Sequence, residues 1–286
     1  MILFKKTEQL QAHFKRARKE GNSIGFVPTM GALHTGHISL IRASKQKNTL
    51  TAACIFVNPA QFNDKKDFEK YPVTVDKDIE LLVSADCDVL LLPSVEEVYP
   101  DGYKQPSHFE LGYLETILEG KFRPGHFQGV CKVMNRLLDI VKPDNLYMGQ
   151  KDYQQCMVVK RLMDNMKIPT VLHTCPILRE ADGLAMSSRN TRLNTQERKR
   201  AVAISLALNF IMENIKPGNL TGIIDKSISM LTNEQFKVDY VAIADAQTLE
   251  SVNHWDGEQK TVALIAAFQN EVRLIDNMLL NHGEIV

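Results

Sequence analysis

The twelve residues FVPTMGALHTGH at positions 26–37 limit the fold more than any other stretch of the chain. The largely apolar residues 23–27 that lead into the turn predict a short buried strand. Pro28 fixes one backbone angle, while Gly31 and Gly36 permit a tight turn and a close approach of a ligand. A helix is then predicted by the spacing of Ile38, Leu40, Ile41 and Ala43. The stretch therefore predicts a strand, a turn and the start of a helix, which is the repeating unit of α/β proteins.

Two histidines three residues apart, His34 and His37, lie at the predicted start of this helix. A helix N-terminus presents unpaired N–H groups and a partial positive charge, which stabilise a bound phosphate. Residues at this spacing share one face of a helix, so both imidazoles can point at the same anion. Two other interpretations stay open at this point: ordinary surface histidines, or a zinc pair that takes a further ligand from elsewhere in the chain.

Composition narrows the class of partner. The 286 residues are 44% hydrophobic, enough for a sizeable core, and the length favours two domains. The 34 basic residues balance the 34 acidic ones, so we expect small-molecule substrates rather than nucleic acid or a membrane. No apolar run reaches the roughly 20 residues of a membrane span and no signal peptide is evident, so a cytoplasmic location is expected. The cysteines form no C-x-x-C pair and are interpreted as reduced core residues: Cys54, Cys87, Cys131, Cys156 and Cys175.

Strands and helices alternate through the first 176 residues. Further buried strands are predicted at 50–57, 88–92, 145–148 and 170–174, with helices between them. Residues 93–121 are less regular and are predicted to hold small extra strands. The alternation predicts an N-terminal domain, residues 1–176, with a Rossmann-like parallel sheet.

Polar side chains follow several of these strands, where open parallel sheets bind their ligands. Asn58 and Gln61 lie in the loop 58–64 and can give and accept hydrogen bonds, although an ordinary connecting loop has the same composition. Arg123 can clamp an anion or can simply be solvated. Lys151 follows Gly149 at a helix start and suits a phosphate or a carboxylate, and Gln155 lies one turn further on the same side.

A smaller α+β domain is predicted for residues 177–286. The polar loop 179–190 marks the junction; Ser187, Ser188 and Arg189 can hold a triphosphate as a closing lid, or the loop can be a flexible linker. A capping box at 194–197 opens a long helix that is predicted to run through Ile215. A second helix at 220–231 and strands at 238–244, 261–268 and 272–275 complete this lid domain.

Two short motifs point to a superfamily. The chain has neither a P-loop nor a dinucleotide-binding glycine fingerprint. The early His-x-Gly-His turn and the late Met-Ser-Ser-Arg loop resemble the HIGH and KMSKS pair of the nucleotidyl-transferase superfamily. The blocks that carry a closer resemblance, to the pantothenate synthetase family, are residues 26–37, 56–62, 123–127, 149–155 and 186–189.

This resemblance implies a reaction and a set of site residues. The reaction is the ATP-dependent condensation of pantoate with β-alanine through an enzyme-bound pantoyl adenylate, which gives pantothenate, AMP and pyrophosphate. Mg²⁺ and a homodimer are also implied. The expected catalytic residues are His34, His37, Lys151 and Arg189. The expected substrate-binding residues are Asn58, Gln61, Arg123 and Gln155. ATP is expected to bind Pro28, Met30, Gly31, Ala32, Leu33, His34, Thr35, Gly36, His37, Gly149, Gln150, Lys151, Asp152, Met186, Ser187, Ser188 and Arg189.

The metal ligands are not predicted by the sequence. Some relatives carry adjacent acidic residues on the helix after the second strand, whereas this chain reads Asp76-Lys77-Asp78. Asp78 is the carboxylate left to assist Mg²⁺, which often keeps waters and substrate phosphates as its ligands. Two rival functions stay open: a transferase that adenylates a phosphate, and a nucleotide-binding regulator without turnover.

Overall fold

The computed structural model describes residues 1–62, 65–105 and 107–280, with residues 65 and 66 described by their backbone alone. Asn63 and Asp64, which end the predicted substrate loop, lie outside the described residues, as do Pro106 and the last six residues. Contacts divide the chain into two compact units. The first contains Met1–Gly149 and Gln154–Pro176, and the second contains Gln150–Tyr153 and the chain from Ile177 onward. The predicted boundary after residue 176 stays a prediction.

The first unit contains a six-stranded sheet. Its strands are β1 (Ile2–Phe4), β2 (Ile24–Thr29), β3 (Leu50–Ile55), β4 (Val89–Leu91), β5 (Asn145–Gly149) and β6 (Val171–Cys175). The strands lie in the order β1-β4-β3-β2-β5-β6, and every pair is parallel. The predicted Rossmann-like parallel sheet is confirmed. The sequence did not predict β1, because its three residues are largely exposed and too few to show a period.

Helices connect these strands. They are α1 (Thr7–Lys19), α2 (Thr35–Lys47), α3 (Lys65–Glu69), α4 (Val75–Ser84), α5 (Val95–Val98), α6 (Leu118–Phe122), α7 (His126–Val141) and α8 (Tyr153–Asn165). One face of α1 is buried, since Leu10, Phe14 and Ala17 lie at helical spacing and have almost no exposed surface. A Cβ on Gly25 in β2 would lie 2.1 Å from the Ser44 hydroxyl oxygen, so α2 packs closely on the sheet only because residue 25 is glycine.

The described part of residues 93–121 differs from the prediction. It forms α5, a short 3-10 turn at Gly112–Glu115 and α6 rather than small strands. Ser94 begins α5 by accepting a hydrogen bond from the N–H of Glu97. This local capping favours a helical turn over the extended backbone that a strand needs.

The second unit is α+β. Helices α9 (Thr195–Ala201), α10 (Ala203–Asn214) and α11 (Thr221–Asn233) accompany strands β7 (Gly218–Asn219), β8 (Lys237–Asp245), β9 (His254–Trp255), β10 (Thr261–Gln269) and β11 (Val272–Leu279). The sheet β11-β10-β8 is antiparallel, and a two-stranded ribbon pairs β7 with β9. Its buried core includes Leu208, Ile211, Leu231 and Ile265. The predicted strands and the α+β class are confirmed.

The long helix predicted from 195 to 215 is interrupted at Val202. Its capping box is as predicted: Asn194 Oδ1 accepts the N–H groups of Gln196 and Glu197, and the Glu197 carboxylate accepts the Asn194 N–H. Val202 keeps a helical backbone, and its carbonyl accepts both the Leu206 N–H at 3.1 Å and the Ser205 hydroxyl at 2.9 Å. Among the described residues, no helix is long and apolar enough to cross a membrane.

Candidate active site

The turn after β2 is organised by two imidazoles. His34 has an extended backbone and caps α2, and its Nδ1 accepts the N–H of Gly36 at 3.1 Å. His37 Nδ1 accepts the N–H of His34 at 3.3 Å. Together these contacts form a capping box in which histidines replace the usual hydroxyl and carboxylate side chains. The two histidines therefore begin the helix as well as facing its N-terminal end.

These hydrogen bonds fix the tautomers of the two rings. Because each Nδ1 accepts a backbone N–H, the proton of each neutral ring is on Nε2. The ring centroids are 4.1 Å apart, so His34 and His37 place two N–H donors next to each other at the positive end of α2. A zinc pair is a poorer interpretation, since both Nδ1 atoms accept backbone N–H groups and both Nε2 atoms carry protons.

Asp78 holds the same turn from behind. Its side chain is buried, and its two oxygens accept the N–H groups of Ala32 at 2.9 Å and Leu33 at 2.8 Å. The Thr74 hydroxyl donates to it at 3.0 Å. Gly31 and Ala32 both have a left-handed backbone, with φ of 84° and 47°, and the carboxylate stabilises this turn.

Asp78 supports the backbone of the turn with both of its oxygens, and its expected assistance to Mg²⁺ stays a prediction. Across the part of the chain that the structure describes, no group of three or more His, Cys, Asp or Glu residues could hold a metal. Mg²⁺ commonly takes one or two carboxylates together with waters and substrate phosphates, so this absence does not bear on it.

Beside the turn, a cavity of about 240 Å³ lies within the first unit. It is bounded by residues at the C-terminal ends of β2, β3 and β4, where a parallel sheet binds ligands. Its walls are mostly apolar and include Met30, Phe56, Val57, Leu92 and Pro93.

Asn58 supports Gln61 instead of facing solvent. Its side chain is 1% exposed, and its amide nitrogen donates to Gln61 Oε1 at 3.0 Å and to the Gly129 carbonyl at 3.2 Å. Its oxygen accepts the Ala60 N–H and the Tyr99 hydroxyl. Every hydrogen-bonding position of the Asn58 amide is therefore occupied by the protein. Gln61 is partly exposed, and its nitrogen lies 3.0 Å from the Met30 sulfur.

A buried histidine links Arg123 to this loop. His126 is 5% exposed, and its Nδ1 lies 2.8 Å from the Gln61 carbonyl oxygen. A carbonyl only accepts, so Nδ1 carries the proton and the unprotonated Nε2 accepts from Arg123 Nη1 at 3.0 Å. Glu119 lies 3.7 Å from the same guanidinium. Arg123, His126 and Gln61 thus form one hydrogen-bonded chain.

Gly129 lets helix α7 contact the substrate loop. A Cβ on this residue would lie 2.1 Å from the Ala60 carbonyl oxygen and 2.6 Å from the Gln61 Cα. Both are backbone atoms, which cannot move away as a flexible side chain would. The position of Gln61 therefore depends on glycine at residue 129.

In the second unit, Lys151 lies in the short turn Gln150–Asp152. The Asn277 side chain donates to the carbonyls of Gln150 at 2.9 Å and Lys151 at 3.0 Å. The Gln150 side-chain nitrogen donates to Asn277 Oδ1 at 3.1 Å, and the Tyr153 hydroxyl donates to the Ala246 carbonyl. The turn that carries Lys151 is therefore held at several points.

The Met186–Arg189 loop is built in the same unit. The Ser187 hydroxyl accepts the N–H of Arg189 at 3.2 Å and begins a 3-10 turn over Ser188–Arg192, and Ser188 is buried. Asn190 donates to Glu180 and to the Ala185 carbonyl. Arg198 pairs with Glu180 and Asp182 at 2.6 and 2.7 Å, and this arginine holds the pKa of Asp182 below its usual value. Ion pairs therefore order the loop.

The expected residues fall into two sets. The first unit contains Pro28, Met30 to His37, Asn58, Gln61, Arg123, Gly149 and Gln155, and the second contains Gln150, Lys151, Asp152 and Met186 to Arg189. Their joint action on one nucleotide stays a prediction. The supporting roles of Asp78, His126, Gly129 and Asn277 were not predicted from the sequence. His126 had a signal, since it lies in the same sequence block as Arg123.

A parallel sheet with an imidazole-capped helix start, together with a Met-Ser-Ser-Arg loop, defines the nucleotidyl-transferase class of α/β enzymes. Known proteins narrow this class. The sequence model of the Pantoate-beta-alanine ligase family matches residues 2–279. The pantothenate synthetase of Cytophaga hutchinsonii is 43% identical over 283 residues, which are 98% of this chain and 99% of that protein.

Two solved structures agree with this assignment. The pantothenate synthetase from Thermus thermophilus is 36% identical and superposes with a TM-score of 0.86, covering 98% of this chain and 99% of that one. The pantoate-beta-alanine ligase from Francisella tularensis is 38% identical, with a TM-score of 0.82 and 99% of each chain covered. The chain belongs to the pantoate–β-alanine ligase family.

Proposed function

We propose that the chain condenses pantoate with β-alanine at the expense of ATP, through an enzyme-bound pantoyl adenylate, and forms pantothenate, AMP and pyrophosphate. The observation that carries this proposal is the pair of Nε2–H donors that His34 and His37 place at the start of α2. The family match over nearly the whole chain supports it. The relative from Francisella tularensis was crystallised with beta-gamma ATP and beta-alanine.

The first step is the attack of a pantoate carboxylate oxygen on the α-phosphorus of ATP. A bond forms between that oxygen and phosphorus, and the bond to pyrophosphate breaks. Two anions must approach each other, so the enzyme acts by positioning them and by neutralising charge on the phosphates. The His34 and His37 donors and the positive end of α2 supply part of this neutralisation.

Cationic groups of the second unit supply the rest. We assign Lys151 and Arg189 to the triphosphate, with Ser187 and Ser188 as hydrogen-bonding groups. Mg²⁺ enters in this proposal as part of the MgATP substrate, because it commonly keeps substrate phosphates and waters as its ligands. No covalent nucleophile from the protein is required.

Pantoate is assigned to the amides of Gln61 and Gln155. Gln61 is partly exposed and is oriented by Asn58, so we place Asn58 behind the substrate rather than against it. Arg123 is held by His126 and supports the same loop, and its guanidinium can also neutralise a carboxylate. Pantoate carries a carboxylate and hydroxyl groups, which this mixture of amides and a cation can recognise.

The second step releases the product. The β-alanine amine attacks the acyl carbon of the adenylate, the new C–N bond forms, and AMP leaves with the oxygen that came from pantoate. The amine loses a proton in this step. The adenylate would hydrolyse in bulk water, so the site must exclude solvent during its lifetime. A homodimer in the cytoplasm remains part of the proposal.

Isotope exchange between ATP and pyrophosphate tests this function. We expect exchange when pantoate is present and none without it, and β-alanine should then convert the adenylate to pantothenate. A transferase that adenylates a phosphate would exchange with a phosphate monoester and not with pantoate. A regulator without turnover would bind ATP and show no exchange with either compound.

A further inference from the structure

Strand β11 contacts both short turns that carry the proposed triphosphate-binding residues. These turns are Gln150–Asp152 and Ser188–Arg192, and both belong, with β11, to the second unit. The two turns are far apart in sequence, yet they lie on one strand. The contacts that fix these two turns on β11 therefore also fix the position of Lys151 relative to Arg189.

Asn277 in β11 fixes the first turn. It is 2% exposed, and its amide nitrogen donates to both the Gln150 and Lys151 carbonyls while its oxygen accepts from Gln150 Nε2. These three bonds use both protons of the amide and one lone pair of its oxygen. Asn277 binds the backbone carbonyl of Lys151 and does not use its ammonium, which we assign to a ligand.

Asp276, the preceding residue, fixes the start of the second loop. It is 3% exposed and accepts a bidentate pair from Arg179, with distances of 2.6 and 3.1 Å. Arg179 also donates to the Gly183 carbonyl at 3.0 Å, and Gly183 lies in the segment that leads to Ser187. Burial raises the pKa of Asp276, whereas the Arg179 hydrogen bonds and charge, and the charge of Lys151, act in the opposite direction. Asp276 and Arg179 therefore connect β11 to the segment that leads to Ser187.

We propose that Asn277 and Asp276 are positioning residues for adenylate formation. Asn277 holds the backbone that carries Lys151, and Asp276 holds, through Arg179, the start of the loop that carries Ser187 to Arg189. The inference rests on the proposed function, because it assumes that Lys151 and Arg189 act on the triphosphate. Neither Asn277 nor Asp276 touches the reacting atoms.

A double-mutant cycle tests the first half of the inference. Asn277→Ala should lower the maximal rate of pantoate-dependent ATP–pyrophosphate exchange about tenfold, because a displaced group loses much of its effect on the transition state. Lys151→Ala should lower it further. The double variant should then lie within about twofold of Lys151→Ala alone, since the inference assigns the effect of Asn277 to the position of Lys151. The reaction of preformed pantoyl adenylate with β-alanine should change by less than about threefold in Asn277→Ala.

The outcomes separate this inference from the proposed function. Exchange that survives Lys151→Ala contradicts the assigned role of Lys151 and overturns the inference, whereas a wild-type protein without pantoate-dependent exchange contradicts the proposed function. If Lys151→Ala lowers exchange and the double variant is lower again by the full factor seen in Asn277→Ala, only the positioning inference is overturned. Equal losses in both half-reactions would also overturn it, because a general structural defect affects both.

A second variant keeps the test decisive if Asn277→Ala does not fold. Asp276→Asn, combined with Arg189→Ala, gives the same cycle for the second loop, with the same expected non-additivity. The matched control is Asp239→Asn, which removes the other arginine–carboxylate pair of this sheet, Arg273 Nε to Asp239 Oδ2 at 2.8 Å. We expect the control to lower the melting temperature without lowering exchange. Exchange loss in the control as large as in Asp276→Asn would overturn the inference.

Discussion

Two turns carry the proposed phosphate-binding groups, and the protein holds them by opposite chemistry. In the first unit, the N–H groups of Ala32 and Leu33 are held by an acceptor, the Asp78 carboxylate. In the second unit, the carbonyls of Gln150 and Lys151 are held by a donor, the neutral Asn277 amide. The first turn is anchored by a buried charge, and the second by a buried dipole.

The difference follows from what each turn must present. The first turn presents imidazole N–H groups, which a carboxylate behind the backbone does not neutralise. The second presents the Lys151 ammonium, which a free carboxylate at the same place would pair with. Asp276 is near, but its charge is already paired with Arg179 in a bidentate contact. Each turn is therefore held by a group that does not neutralise the donor or the cation that the turn presents.

The largest expected effect concerns the first turn. His37→Ala removes one donor and half of the capping box, so adenylate formation should fall by about 10²-fold or more. Pantoate-dependent ATP–pyrophosphate exchange measures it. The control is His254→Ala, an exposed histidine in the second unit, which should be neutral. Exchange within about threefold of the wild type in His37→Ala would remove this residue from the chemistry.

Asp78→Asn tests the buried charge behind this turn. The amide keeps one acceptor for two N–H groups, so we expect exchange to fall about tenfold and unfolding free energy to fall by about 2 kcal/mol. Urea unfolding and exchange measure the two effects, with Asp76→Asn as the control. Excess Mg²⁺ should not restore activity. Restoration by Mg²⁺ would show that Asp78 is a metal ligand and would break the comparison.

Gly129→Ala tests the substrate loop of the first unit. The added Cβ clashes with the Ala60 carbonyl, so Gln61 must move and the KM for pantoate should rise about tenfold, with the KM for ATP within about twofold. Gly222→Ala is the matched control, since it lies in α11 and its Cβ would meet no atom within 4 Å. That control should be stabilised by up to about 1 kcal/mol. An unchanged KM for pantoate in Gly129→Ala would contradict the proposed position of Gln61.

The smallest effect is a pH dependence of stability in the first unit. His173 stacks on Tyr147, and its Nε2 lies 2.8 Å from Asn145 Oδ1. Burial, and then the charge of Lys47, lower the pKa of His173 below 6.5. As the pH falls, the unfolded chain therefore binds a proton at His173 before the folded chain does. Stability is lost as the pH falls from the pKa of the unfolded chain toward the lower pKa of the folded chain.

A variant isolates this contribution. His173→Gln cannot titrate, so the stability difference between the wild type and this variant should shrink as the pH falls below about 6.5. Urea unfolding at several pH values measures it. A difference that stays constant or grows toward low pH would contradict the assignment.

Much of the fold could be predicted because its signals are local. The buried strand β3 is a continuous apolar run, the helix α1 has apolar residues at helical spacing, and the capping box at Asn194 lies within four residues. The failures also have local causes. Strand β1 is too short to show a pattern, and the apolar spacing continues across the break between α9 and α10, so it does not mark Val202.

In the candidate site too, the residues with local signals could be predicted and those with distant partners could not. His34 and His37 could be predicted because they are three positions apart at a helix start. Asp78 was interpreted as an aid to Mg²⁺ because some relatives carry acidic residues there, and its support of the turn gave no local signal because its partners lie 45 and 46 residues away. Asn277 lies 126 residues from Lys151 and gave no signal at all. Supporting groups of this kind become visible only when the chain is folded.

In the proposed reaction pantoate itself attacks ATP, and one of the pantoate carboxylate oxygens leaves with AMP. Pantoate labelled with ¹⁸O in both carboxylate oxygens tests this claim most directly, by mass spectrometry of the products after one turnover with β-alanine. We expect one ¹⁸O atom in the phosphate of AMP and one in pantothenate. AMP without ¹⁸O would contradict the acyl adenylate and, with it, the assignment of both turns to one nucleotide.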